Sequence, residues 1–554
     1  MNTNLNNGFG SWVIRFRWLI VPATLFLVFA AASGGRFLGF STDYRVFFSE
    51  NNPQLLAFEA LQNTYTKNDN VMFAIEPKDG KVFTRKTLAI IEEITAASWK
   101  IPHSIRVDSV TNFQYTWADG DDLVVQDLVE NAPSFTDAQL KKVQAVALAE
   151  PLLLNRLITR KSNITGVNVT INRPQKTITE TPEVAAFARE MKDKFQKKYP
   201  DITIYLTGVI FMDNAFNEAG EGDMKSLVPF MYGIVLIIMA LSLRTFWGTL
   251  TTILIMAFSI LTGMGLAGWS GILLTPISAN APTIILTLAV ADSIHILVTL
   301  FYEVRHGKTK YEAIQESLRV NHQPIFITSL TTAIGFLSLN FSDSPPFRDL
   351  GNIVAVGVMA AYVYSVFFLP AMMAILPLRV KKVSSSQNIW IDTFGDWVIH
   401  NRNLLFWGMI IIITFLSIQI PRNIIDEKFN EYFDTRYQFR IDNDYVEEHL
   451  TGFESIEYSL SAGESGGISN PAYLKKLDEF ADWYRKQPGV MYVGTLTDTM
   501  KRLNKNMHGD DESFYRLPEE RDLSAQYLLL YELSLPFGLD LNNQINIDKS
   551  STRF

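Results

Sequence analysis

The stretch TIILTLAVADSIHILVTLFYEV, Thr283 to Val304, decides the architecture of this chain. Nearly every residue in it is apolar, yet Asp292 and His295 stand three apart near its middle. A helix of about 20 apolar residues crosses the hydrocarbon core of a bilayer, so the stretch is long enough to span one. A charged side chain at the bilayer centre costs about 2.5–3.5 kcal/mol on insertion scales. An acid placed there must therefore face protein or water, and it is read as functional before it is read as structural.

Working outward, uncharged runs lie at 18–35, 226–243, 245–291, 323–342, 350–378 and 403–421. The 245–291 run is too long for one crossing and divides near Gly271 and Pro276, giving helices near 248–269 and 276–302. Seven spans result. Only 48% of residues are hydrophobic and 19% are charged, because the apolar residues are concentrated in these blocks and the charges between them.

Lys and Arg in short loops set orientation. Arg15, Arg17, Arg244, Arg305, Lys308, Lys310, Arg319, Arg379, Lys381, Lys382 and Arg402 fall on one side. The opposite short loops hold only Arg348. This predicts a cytoplasmic N-terminus, with 38–225 and 422–554 outside. The start, RFRWLIVPATLFLVFAAASGG, also has the look of a cleavable signal peptide, but a repeat makes this helix part of the fold. The chain has no cysteine, so there is no disulfide framework. No basic stripe with interleaved aromatics suggests a nucleic-acid partner.

The repeat is internal. FGSWVIRFR (Phe9–Arg17) recurs as FGDWVIHNR (Phe394–Arg402), and Asn70–Phe113 has a counterpart in Ser455–Met500. Both members of the second pair read as strand, turn, amphipathic helix, strand. The first outer segment adds helical stretches near 121–131 and 136–160, a strand near 165–172, a helix near 181–198 and a strand near 202–208. Two βαβ units in one segment suggest a ferredoxin-like split βαβ domain. NNQINIDKSSTRF (Asn542–Phe554) echoes NRLITRKSNITGV (Asn155–Val167). The chain thus reads as one and a half units of a two-unit protein, with five further spans expected beyond its last residue.

The predicted organisation is an amphipathic helix and first span (1–37), a first outer α/β domain (38–225) and spans two to six (226–378). A cytoplasmic linker with a second amphipathic helix (379–402), a seventh span (403–421) and an incomplete second outer domain (422–554) follow. The fold class is an α-helical polytopic membrane protein bearing outer α+β domains.

This layout resembles the resistance-nodulation-division (RND) superfamily. The resemblance is carried by STDYRVFFSENNPQLLAFEALQNTY (Ser41–Tyr65), ADSIHIL (Ala291–Leu297), TSLTTAIGFLSL (Thr328–Leu339) and LYELSLPFGLDLNNQINIDKSSTR (Leu530–Arg553). It points to the MMPL-like branch, related to hopanoid and mycobacterial lipid transporters. Residues 226–378 are similar to the sterol-sensing block of eukaryotic relatives. The resemblance implies proton-driven export of hydrophobic or lipidic molecules from the inner membrane toward the periplasm, with no cofactor beyond the proton gradient. It implies membrane lipids and a lipid substrate as partners, and leaves room for a periplasmic lipid-carrier or lipoprotein-sorting-like protein and for a homo-oligomer. Relatives often have Gly four residues before the intramembrane acid, where this chain has Leu288. Their relay partner lies on a tenth helix, beyond this sequence.

Asp292 is the leading proton carrier, against the alternative of a permanently protonated helix–helix hydrogen-bond donor. His295, one turn further inward on nearly the same face, is a second relay candidate, or else a residue capping the polar network. On the fifth span Thr328, Thr332 and Gly335 share a face, broadened by Ser329 and Thr331. Thr328 or Thr332 is the expected partner of Asp292, while small and hydroxylated residues are otherwise packing material. Gly263–Gly268 is read as a close helix approach. Asp292 and His295 alone do not close a metal site.

HGKTK (His306–Lys310) lacks the first glycine of a phosphate loop, Tyr302 standing there, and reads as a basic turn. Tyr311–Leu318 reads as a separate amphipathic helix along the inner surface. Two rival functions remain: a lipid-sensing module without transport, and a protein-export accessory.

Overall fold

Among the described residues, seven helices are long and apolar enough to cross a membrane, matching the seven spans read from the sequence. The computed structural model describes residues 8–554 except 42, 68, 121, 175, 176, 178, 379–388, 425 and 427. The first ten residues of the expected linker therefore lie outside the described residues. The chain forms two compact units. One comprises Met1–Thr42, Val46–Ser49 and Gly220–Lys428; the other comprises Asp43–Arg45, Glu50–Ala219 and Phe429–Phe554.

The helical unit contains the spans Arg17–Ala32, Leu227–Leu243, Phe246–Trp269, Ala281–Arg305, Lys310–Leu337, Pro345–Val363 and Arg402–Gln419. Glycines let the third span meet its neighbours backbone to backbone. A methyl added at Gly265 would run into the Ala31 carbonyl, and one at Gly268 into the Gly34 carbonyl. Gly263, on the third span, and Gly357, on the sixth, form a notch that the Ile285 side chain of the fourth fills. The close approach expected of Gly263–Gly268 is present.

The sixth span does not stop at Val363. It passes through a π-helical turn, Tyr364–Phe368, into the short helix Leu369–Ile375. Pro370 explains the wide turn, since it has no N–H to bond back to the preceding turn.

Tyr311–Leu318 is not a separate surface helix. It forms the first turns of one continuous helix, Lys310–Leu337, which starts at a capping box between Thr309 and Glu312. Ile314 and Leu318 are buried, and the Ser317 hydroxyl donates to the Ile296 carbonyl at 2.6 Å. The short N-terminal helix Phe9–Arg15 covers the same end, with Gly10 against Gln315. A face that looked free to lie on lipid is occupied by protein. The helix is about 42 Å long at 1.5 Å per residue, so its charged first turns extend past a hydrocarbon core of about 30 Å.

The second unit, termed outer after the sequence expectation, is built on a four-stranded antiparallel sheet. Its strands are β1 (Asn70–Pro77), β2 (Ser104–Ser109), β5 (Thr165–Ile171) and β6 (Ile202–Thr207), in the order β2-β5-β1-β6. Helix Arg85–Ser98 joins β1 to β2, and helix Glu180–Lys198 joins β5 to β6. Leu88, Ile91 and Ile94 from the first, and Val184, Ala188 and Phe195 from the second, pack with Phe73, Val107, Val169 and Ile204 of the sheet. The edge strand β6 is covered by helix Gln438–His449, where Asp442 accepts from Leu206 N–H at 2.9 Å and Asn443 accepts from the Thr207 hydroxyl at 2.5 Å. An edge closed in this way cannot template further pairing.

Three sequence expectations fail here. Residues 121–131 hold a strand where a helix was expected: β3 (Gln114–Asp119) and β4 (Asp122–Asp127) form a hairpin. Asp119 pairs with Asp122, and Gly120, at φ +64°, opens the tight turn between them. The helix expected over 136–160 ends at Ala149, because Pro151 follows two residues later and restricts Glu150 before it. The strand expected near the end of Ser455–Met500 is absent among the described residues, and helix Leu496–Asn506 begins instead at the Thr495 cap.

The internal echo is structural. β5 is preceded by an arch in which Ser162 adopts φ +55°, Ile158 bridges Thr165, and Gly166 N–H donates to Leu157 O at 2.8 Å. The last strands, β7 (Ser459–Ser461) and β8 (Ser551–Arg553), pair antiparallel. Before β8 the same arch recurs: Lys549 at φ +55°, Ile545 bridging Thr552, and Arg553 N–H donating to Gln544 O at 2.7 Å.

Candidate functional site

The fourth span starts with Pro282 at its first turn and ends at Gly307, whose φ of +95° terminates the helix. Its buried stripe is Ile285, Ala289, Asp292, Ser293, Ile296 and Leu300, the spacing of one helix face. Asp292 belongs to that stripe and is 7% exposed. The Ser329 hydroxyl of the fifth span donates to its Oδ2 at 3.2 Å, and Ser329 is itself buried. Among the described residues no cation forms an ion pair with Asp292. A carboxyl held by one hydroxyl can gain or lose a proton without breaking a salt bridge.

More hydroxyls line the same interior. Ser293 Oγ donates to the Ala289 carbonyl and lies 3.4 Å from Ser365 Oγ, in the π turn of the sixth span. The neighbouring Tyr364 hydroxyl is 2.8 Å from Thr262 Oγ1 on the third span. The wide turn made by Pro370 thus presents two polar side chains inward from an apolar run. His322 Nε2 lies 3.0 Å from the Tyr362 hydroxyl, seven residues before Ser329 on the fifth span. A cavity of about 350 Å³ lies along Thr245, Trp247, Phe301 and Met373, and Asp292 is not among its walls.

The other expected site residues fall elsewhere. His295 is exposed on the outer side of the fourth span, and its backbone carbonyl accepts from the Thr299 hydroxyl. The three-residue step from Asp292 turns it out of the buried stripe. Thr328 is also exposed, and its hydroxyl returns to the Pro324 and Ile325 carbonyls of its own helix. Thr332 is half-buried, and a methyl at Gly335 would meet nothing within 4 Å. The Thr328, Thr332, Gly335 face therefore points away from Asp292, and Ser329 takes the place expected of the threonines.

Ser329, Ser293, Ser365, Tyr364, Thr262 and His322 were passed over as site residues. The signal for Ser329 was its position between Ile325 and Ala333 at i±4, the apolar stripe of that helix. Among the described residues no group of three or more His, Asp or Glu side chains is arranged to hold a metal ion.

Comparison with known proteins places this helix pair in a family. The chain is 26% identical over 184 residues to a Mycobacterium tuberculosis protein named "Probable transport protein MmpL12", a match covering 32% of this chain and 16% of that protein. It is 26% identical over 176 residues to a membrane protein of Methanocaldococcus jannaschii, MJ1562, covering 32% of this chain and 45% of the relative. The chain thus spans less than half the length of either relative. The model of the MMPL family matches residues 87–398, which is more than half of the chain and includes both Asp292 and Ser329. On that match, this multi-pass helical chain belongs to the MMPL family, of the RND type.

Proposed function

We propose that this protein is a secondary transporter, driven by the proton gradient, that moves hydrophobic or lipidic molecules from the inner membrane toward the periplasm. It is not an enzyme in this reading. The observation that carries it is the Asp292 carboxyl, buried between helices and tied to the fifth span by the Ser329 hydroxyl. A protonation change there alters a contact between two helices rather than a surface charge, which is what coupling to movement requires. The transport name carried by the mycobacterial relative supports the same direction.

The loop charges favour a cytoplasmic N-terminus. The outer unit is then periplasmic, and its β2-β5-β1-β6 order with two βαβ crossings supports a ferredoxin-like reading. A lipid substrate, membrane lipids, and a periplasmic lipid carrier or a second copy of the chain are the partners this function would use.

The test is substrate-dependent proton flux in reconstituted vesicles. Asp292→Asn should lower flux on the order of 10²-fold, the scale of losing a proton-transfer group, with unchanged insertion. Ser329→Ala should lower it about 3–10-fold, the scale of one ordinary hydrogen bond. Thr328→Ala should match the wild type. Full flux in Asp292→Asn would sink the proposal.

A further inference from the structure

Five charged side chains gather inside the outer unit: Asp43, Arg45, Asp69, Arg173 and Asp213. Asp43 and Arg45 follow the first span, Asp69 precedes β1, Arg173 follows β5, and Asp213 lies on helix Val209–Lys225. Arg173 stands between two acids, its Nη2 2.8 Å from Asp69 Oδ2 and its Nη1 2.9 Å from Asp213 Oδ2. Its Nη1 also donates to Thr181 Oγ1 at 2.6 Å. Arg45 donates to Asp43 at 3.0 Å and to Gln62 at 3.1 Å, and lies 3.9 Å from Asp69. The side chains of Asp69, Arg173 and Asp213 are only 2%, 5% and 1% exposed.

Three carboxyls face two guanidiniums. At the margin, the Lys67 ammonium reaches the Arg173 carbonyl and the buried Glu180 accepts from Thr177 N–H, adding one charge of each sign. Tyr44 packs under the Arg45 guanidinium at 5.0 Å. Among these described groups, full ionisation puts more negative than positive charge where water hardly reaches, a strongly unfavourable state.

The three acids are not equally served. Asp43 accepts from the Arg45 side chain and backbone N–H. Asp69 accepts Arg173 through both Nε and Nη2 and faces Arg45. Asp213 takes one bond at Oδ2, while its buried Oδ1 has no hydrogen-bond partner among the described residues.

We propose that Asp213 is a proton-binding site of the outer unit, its carboxyl taking a proton beside the Asp69–Arg173 pair. The bound species is a proton, taken at the poorly served oxygen. Binding it removes one buried negative charge while Oδ2 keeps its bond to Arg173. Helix Val209–Lys225, which carries this acid, is followed after Ser226 by the second span. The site needs no assumption about transport.

The test is infrared titration of the full chain in detergent, following the carbonyl stretch of protonated carboxyls over roughly pH 5 to 9. A band that titrates in the wild type and in Asp292→Asn should be missing from Asp213→Asn. Asp69→Asn leaves two acids and two guanidiniums, so the band's midpoint should fall by about one pH unit or more. A band unchanged in Asp213→Asn overturns the proposal, and so does one lost only in Asp292→Asn. Should Asp213→Asn not fold, an unmoved midpoint in Asp69→Asn overturns it.

Discussion

At the scale of single residues, Asp498 makes a prediction that needs no membrane. Burial pushes its carboxyl up to about 6, and Arg485, at 2.6 Å, pulls only partly against that. The fold therefore holds a proton there more tightly than the unfolded chain does. That stability is fully present below the ordinary carboxylate range and is lost as pH rises through about 6. Asp498→Asn cannot lose it, so the variant should gain on the wild type by about 2 kcal/mol between pH 4 and pH 7. Denaturant titrations of both proteins at the two pH values check this, and a constant difference would contradict it. In the membrane, Asp292 was legible because an acid contrasts with apolar neighbours. Its partner was not. Thr328 and Ser329 are adjacent, and which one turns inward depends on how the helix is rotated. That rotation is set by Ile314, Leu318 and Ile325 packing against other helices, information that lies outside the TSLTTAIGFLSL motif.

At the scale of elements, glycine placement separates helices that must touch from those that need not. Gly265→Ala drives a methyl into the Ala31 carbonyl, which is backbone and cannot swing away. It should destabilise the helical unit by about 1–3 kcal/mol. Gly335→Ala meets nothing within 4 Å and should be neutral or stabilising by up to about 1 kcal/mol through helix propensity. Thermal unfolding in detergent ranks the pair, and the reverse order would refute this packing. Long apolar runs made all seven spans readable. Strand β4 reads as helix from sequence, although Gly120 marks a turn before it, because Leu123, Val124 and Val125 form too short a run to show a period. The inner amphipathic helix was readable as a helix, but what covers Ile314 and Leu318 was not, since Phe9–Arg15 lies some 300 residues away in sequence. The π turn could have been suspected from Pro370 alone.

At the scale of the whole molecule, the repeated arches at Ser162 and Lys549 show that sequence echo and backbone geometry agree in the outer unit. Orientation is directly testable, because the chain lacks cysteine and single substitutions label cleanly. A membrane-impermeant maleimide added to intact cells should modify Asp79→Cys and spare His306→Cys until the cells are opened. The opposite pattern would invert the topology. One joint also bears on how the helical unit can move. Ile285 is seated between Gly263 and Gly357, so the fourth helix is pinned there by a side chain wedged in two notches. A pinned rod can pivot but cannot slide. Asp292 lies seven residues along that rod, about 10 Å from the pivot, so a tilt of about 10° would carry it nearly 2 Å sideways. That lever arm is long enough to part Asp292 from the Ser329 hydroxyl while Ile285 stays seated.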